Sequence, residues 1–356
     1  MAQGRLRALA AGAFGTSIAA MKYREAICDS EQGQNLLQQK ASAIPKLFCW
    51  GRLVPGGGDA TVKIKEKSPV DVSFWASKGL LIQHMTMGER HGAVLDERGG
   101  LWVWGEKAGP VPVHLQGRTD LKALASTKND LLAVTKSGTV LIWRDVDALL
   151  SKDGASAAPI ALQGALKNIA AARIAAGDSH LVVIGHKGEV VVMGDNSFGQ
   201  LGMGSPDTVP MCEQPTRLAA ITAKATQAAC GSAHTVILLD DGSCLSFGDD
   251  RNLQLGLRVC SIKEMRSGVT KAVEPKKVKL LGDRKVTAVA CGGGGIEGGH
   301  SVFLTRGEKG DELWACGYGR WGQLGIKSYA HISEPKEVTT LSKLREWDDA
   351  SQQVRG

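Results

Sequence analysis

Aromatic side chains are scarce in this chain: eight Trp, six Phe and three Tyr in 356 residues. A few large rings must therefore sit at chosen places. Cysteine is present eight times, but never as Cys-x-x-Cys and never with His at zinc-ligand spacing. That excludes a zinc module and argues against a secreted disulfide framework. Cys49, Cys230, Cys244, Cys291 and Cys316 lie in apolar runs, where a free thiol behaves as a small core residue in a reducing compartment. No block of Lys and Arg interleaved with aromatics occurs. The formal charge of +7, from 43 basic and 36 acidic residues, thus reads as solvated surface, and nucleic acid is not an expected partner. The chain has no Gly-Lys-Ser/Thr phosphate loop, no Ser-His-Asp ordering, no paired-carboxylate site and no metal cluster. Neither an enzyme nor a cofactor is expected.

Glycine is abundant, at 45 residues, and it punctuates a repeat. The clearest copy spans residues 177–202. It has Gly177-Asp-Ser-His180, an apolar run, a turn at Gly188, a β-branched run ending at Met193-Gly194, and Gly199-Gln200-Leu201-Gly202. The two runs read as a β-hairpin and are apolar throughout, so both faces of the strands should be buried. Other copies centre on His91, Asp130, His234 and His300.

From His91 to Trp104, Asp130 to Trp143, His180 to Met193 and His234 to Phe247 the separation is thirteen residues each time. Only His300 to Cys316 is longer, through an enlarged turn around residues 307–311. From Met193 to Gln200, Phe247 to Gln254 and Cys316 to Gln323 it is seven. The second copy is worn: Asp130 replaces His, and Arg144 replaces the Gly after Trp143. Pro159, Pro215, Pro275 and Pro335 should each open an outer strand. Four short strands per unit make a propeller blade.

The N-terminus differs. Arg5 and Arg7 precede an uncharged run at residues 8–21, followed by Lys22 and Arg24, with no acidic residue before Glu25. The run falls short of the ~20 residues that span a bilayer. Residues 1–30 read as a short basic helix: retained as a membrane anchor or partner dock, serving as a mitochondrial presequence, or simply a soluble helix. Residues 31–46 read as a linker, and 47–356 as the propeller.

Gly-x-x-His, Asp/Lys-Gly, Trp/Phe-Gly and Gly-Gln-Leu-Gly together resemble the repeat of the regulator of chromosome condensation family, over roughly residues 47–345. The resemblance implies an all-β propeller of six to seven four-stranded blades. With the basic N-terminal segment it is most similar to mitochondrial members, associated with respiratory-complex or mitoribosome assembly. The expected role is a noncatalytic, protein-binding subunit of such an assembly, at the matrix side or inner membrane, with membrane contact through residues 5–24. The founding member activates a small nuclear GTPase, so exchange on a small GTPase, in cytosol or nucleus, is the alternative. The residues that carry exchange have no match here. Pro335 starts a copy that reaches Gly356 unfinished, and 47–51 lacks a hairpin partner. The expectation is therefore either that the sequence continues past Gly356 or that the ring is gapped and sealed by another chain.

His91, His180, His234 and His300 read as turn residues whose ring nitrogens hold neighbouring backbone, too far apart for one metal. Trp104 and Trp143 are repeat positions, and Gln200, Gln254 and Gln323 should tie loops to the next blade. Candidate partner contacts are Gly293 and Glu297 in the glycine-rich stretch before His300, and Arg5, Arg7, Lys22 and Arg24. The inserts at 55–68, 145–159, 205–214 and 258–273 should line the rims.

Overall fold

The computed structural model describes residues 80–106, 109–115, 119–146, 158–257, 270–279, 284–293, 298–307 and 310–339, and the backbone of 8–13, 16–21, 47–52 and 65–72. The chain packs as two compact units. One comprises Met1–Leu124, Asn129–Leu131 and Trp143–Pro159; the other comprises Ala125–Lys128, Leu132–Ile142 and Ile160–Gly356.

The described residues form six four-stranded sheets in which consecutive strands are neighbours. In the first unit, β1 (Ala8–Ala13), β2 (Thr16–Met21), β3 (Leu47–Arg52) and β4 (Lys65–Val72) make one sheet. β5 (Ile82–Met87), β6 (His91–Asp96), β7 (Leu101–Gly105) and β8 (Gly109–Leu115) make the next. The worn copy supplies β9 (Leu121–Ser126), β10 (Leu131–Thr135), β11 (Val140–Trp143) and β12 (Ile160–Ala161). In the second unit follow β13 (Ala171–Ala176), β14 (His180–Gly185), β15 (Val190–Asp195) and β16 (Met211–Arg217). Next come β17 (Ala225–Cys230), β18 (His234–Leu239), β19 (Cys244–Asp249) and β20 (Lys271–Lys277). The last sheet is β21 (Val286–Gly292), β22 (His300–Gly307), β23 (Gly310–Gly317) and β24 (Ile332–Glu337).

Where residues 1–30 are described, they form strands and not the expected N-terminal helix. Residues 8–13 and 16–21 are strands in antiparallel register from Ala8↔Met21 to Ala13↔Thr16, and Ala19 pairs with Phe48. The hairpin partner that 47–51 was expected to lack is thus β2, from the same chain. Helix propensity in an Ala-rich run is a weak preference. An uncharged run with no polar face to give to solvent gains more by pairing with the open backbone edge of β3. Among the described residues, no helix is long and apolar enough to cross a membrane.

The inner hairpins follow the apolar pattern. Every residue of β6, β14 and β18 is buried. Consecutive sheets of the second unit share their cores: Val182, Ile184, Val190 and Val192 pack with Ile237, Leu239 and Phe247. Val236, Leu238 and Cys244 pack in turn with Val289, Phe303, Trp314 and Cys316. The β14–β15 turn needs glycine at 188, where φ is 88° and a Cβ would lie 2.9 Å from Ala225 N.

Two details depart from the sequence reading. Pro215, Pro275 and Pro335 lie inside β16, β20 and β24 rather than opening them. In each case the register jumps beside the proline: Val192↔Thr216 is followed by Gly194↔Cys212, and the same shift recurs in the next two sheets. A residue without an N–H fits an outer strand where the ladder is interrupted. In the fifth copy the three extra residues lengthen the ladder, which runs to Gly307↔Gly310.

Candidate functional site

The repeat positions are built around a buried histidine. Gly177 N donates to His180 O, and Gly231 N to His234 O, each at 2.9 Å. The Gly lies flat on the imidazole: a Cβ at 177 would lie 2.6 Å from His180 Nδ1, and one at 231 would lie 2.5 Å from His234 Nδ1. This explains why the motif reads Gly-x-x-His.

The rings do not hold backbone of their own turn. His180 Nε2 lies 3.0 Å from Thr235 Oγ1, and His234 Nε2 lies 3.0 Å from Ser301 Oγ, both in the following copy. Each hydroxyl donates back to the preceding copy, Thr235 to Gln200 O at 2.8 Å and Ser301 to Gln254 O at 2.6 Å. A hydroxyl has one proton, and a carbonyl can only accept. The imidazole Nε2 must therefore be the donor, which fixes the Nε2–H tautomer. His180 Nδ1 then carries a bare lone pair, and it is buried without a hydrogen-bond partner.

Burial keeps these rings neutral. Desolvation lowers His180 to about 4, against the opposing pull of Asp195. It lowers His234 to about 3, helped by the charges of His300 and His180. In the first unit it lowers His91 to about 4, with Asp145 opposing. His300 is also lowered by burial, and its Nδ1 lies 2.9 Å from Gly298 O, so it alone of the three in the second unit bonds backbone of its own turn.

The glutamines divide their work. The side chains hold their own loops: Gln200, Gln254 and Gln323 Oε1 accept from Phe198 N, Asn252 N and Trp321 N, each at 2.9 Å. It is the main-chain carbonyls of Gln200 and Gln254 that reach the next copy. Trp104 and Trp143 are core residues, 2% and 5% exposed. A second inter-copy thread runs through backbone alone: Lys128 N to Asp178 O at 3.0 Å, Asp178 N to Ser232 O at 3.2 Å, and Ser232 N to Gly293 O at 3.2 Å.

Where the repeat is worn, the chemistry changes. Asp130 Oδ2 pairs with Arg144 Nη1 at 2.9 Å, and Asp130 Oδ1 accepts from Asp145 N at 3.0 Å. The positive φ that Gly194 and Gly248 supply in other copies, 114° and 108°, passes to Asp145 at 44°. The closing backbone bond slips by one residue, from Asp195 N→Ser179 O in the third copy to Val146 N→Asn129 O here.

Of the candidate partner contacts, Gly293 is placed: φ is 93°, and a Cβ there would strike Gly298 O. Glu297, Arg5, Arg7, Lys22 and Arg24 lie outside the described residues. Among the described residues, no three His, Cys, Asp or Glu come together to hold a metal ion. Cys212, Cys230, Cys244, Cys291 and Cys316 are free thiols, and burial pushes Cys244 and Cys291 up to about 12. The sequence reading missed the hydroxyl partners, although a signal exists. Thr235 and Ser301 directly follow His, and they occur where the preceding copy supplies both His and Gln.

Comparison with known proteins agrees with this picture. The profile of the regulator of chromosome condensation (RCC1) repeat matches residues 187–238 and 241–296. The RCC1 domain-containing protein RUG3, mitochondrial, of Arabidopsis thaliana is 25% identical over 292 residues, covering 74% of this chain and 60% of that protein. The human E3 ubiquitin-protein ligase HERC2 is 26% identical over 268 residues, 69% of this chain but 5% of its own length. The chain thus spans only part of these relatives. Among solved structures, yeast RCC1 (Prp20) bound to Kap60 superposes with a TM-score of 0.66 at 18% identity, covering 92% of this chain and 73% of that one. Human WBSCR16 does so with 0.68 at 17% identity, covering 95% and 82%.

Proposed function

We propose that this chain, which carries RCC1 repeats at residues 187–238 and 241–296 and shares the fold of RCC1, is a noncatalytic protein-interaction module, serving as a structural or assembly component of a large mitochondrial complex. The observation that carries the location is the mitochondrial RUG3, which aligns with 74% of this chain. The chemistry supports a noncatalytic role. His180 and His234 are buried, neutral and bonded to hydroxyls of the following copy, so they are committed to holding blades together. The test is native electrophoresis of detergent-solubilised mitochondria carrying the tagged chain. Migration with a high-mass complex is expected, and a free monomer released without detergent would overturn the reading.

A second reading is guanine-nucleotide exchange on a small GTPase. It is favoured by the fold likeness to Prp20p of Saccharomyces cerevisiae, described with binding properties to Gsp1p and histones. Nucleotide-release assays with organellar and nuclear GTPases separate the two readings.

A further inference from the structure

The loop after β15 shows what one repeat position is built to receive. The guanidinium of Arg251, from the following copy, sits over the ring of Phe198, with Cζ 4.4 Å from the centroid. Asp249, two residues before Arg251, clamps it: Nε to Oδ1 at 2.9 Å and Nη2 to Oδ2 at 3.0 Å. Cation, carboxylate and ring form one Asp-x-Arg lock.

Asn252 stands at this place in the next copy, and Trp321 occupies it two sheets beyond Phe198. Phe198 and Trp321 each stand two residues before a glutamine whose Oε1 accepts their backbone N–H at 2.9 Å. Trp321 is 72% exposed, and Tyr329 is 77% exposed. Tyr329 Cε1 lies 3.7 Å from where a Cβ on Gly322 would be, so the tyrosine ring packs beside the residue that follows Trp321. An indole attracts a guanidinium more strongly than a phenyl ring does. Arg320 and Lys327 stand near these two aromatics in sequence. A bare cation would be repelled there, whereas a segment that brings its own carboxylate would not.

We propose that the Trp321–Tyr329 face docks a segment of a partner protein reading Asp-x-Arg, its guanidinium stacked on the indole and its carboxylate balanced by Arg320. The inference rests on the reading of the chain as a protein-binding propeller.

The test uses the whole chain labelled with 5-fluorotryptophan, whose eight Trp signals are followed by fluorine NMR, with Trp321→Phe identifying one of them. The probe is the synthetic peptide Gly-Asp-Asp-Arg-Asn-Leu, the sequence of residues 248–253, against the same peptide with citrulline in place of arginine. The Trp321 signal should shift saturably with the arginine peptide and need at least about tenfold more of the citrulline peptide. Tyr329→Ala should weaken the response while leaving the melting temperature unchanged, because the side chain is exposed. Equal responses to the two peptides, or no movement of the Trp321 signal up to about 10 mM peptide, would overturn the proposal. Native electrophoresis reads the wider assembly role independently, so either result can fail without the other.

Discussion

His234 Nε2 and Ser301 Oγ are 3.0 Å apart across 67 residues of sequence, and the same hydroxyl donates to Gln254 O at 2.6 Å. One serine thus joins a histidine and a glutamine of the fourth copy to the fifth. Thr235 makes the same join one copy earlier, with His180 and Gln200.

Ser301→Ala strands the buried His234 Nε2–H and leaves the Gln254 carbonyl with only the weak Cys316 Sγ–H donor at 3.6 Å. The expected loss is about 1–3 kcal/mol of unfolding free energy. His234→Ala should also destabilise, and the double variant should fall short of the sum by about 0.5–3 kcal/mol. Denaturant midpoints of the four proteins measure this. Strict additivity would show that the pair does not act as a unit.

Stability should decline on acidification before most carboxylates titrate. In the folded state His91, His180 and His234 have values of about 4, 4 and 3, while the ordinary value is 6.5. Between these limits the unfolded chain binds more protons. Their contribution is therefore present above about pH 6.5 and is lost as pH falls toward 4, with a limiting slope of about 1.4 kcal/mol per pH unit for each histidine. Urea unfolding at pH 7, 6 and 5 should show the slope, and His234→Gln should flatten it.

Asp250→Asn should stabilise the protein near neutral pH. Burial raises the Asp250 carboxyl to about 6, so the folded state binds the extra proton between the ordinary value of 3.8 and 6, and the ionised form is the strained one above that window. The third copy already uses the amide: Asn196 Oδ1 accepts Leu201 N at 3.0 Å, as Asp250 Oδ1 accepts Leu255 N at 3.0 Å. A gain of about 1–2 kcal/mol at pH 8, shrinking as pH falls below 6, is expected from thermal melts.

Asp145→Gly should raise stability by about 1 kcal/mol, because an L-residue with a φ of 44° is held in backbone space that glycine enters freely. Asp145→Val should lower it by a comparable or larger amount. Differential scanning calorimetry of both variants decides, and equal effects would mean that the backbone there relaxes.

The thirteen-residue spacing was legible because it is a pairing rule. A hairpin with a fixed turn sets Leu181 opposite Met193, Thr235 opposite Phe247 and Gly92 opposite Trp104. The residue after the histidine position and the bulky residue are cross-strand neighbours, so their separation cannot drift without changing the ladder. The histidine's own contacts were not legible in the same way. A ring nitrogen that bonds its own turn and one that bonds a hydroxyl 55 residues on carry the same letter.

The sequence by itself determined the repeat, the four-stranded unit and the buried hairpins. These depend on local periodicity, turn glycines and apolar runs, all written within about fifty consecutive residues. Tertiary structure alone decided which groups complete one another across copies: β2 beside β3, Thr235 beneath His180, Arg251 over Phe198. Those choices turn on which unsatisfied edge, donor or ring face lies nearest once the sheets are stacked. Distance in space is a property that order along the chain does not carry.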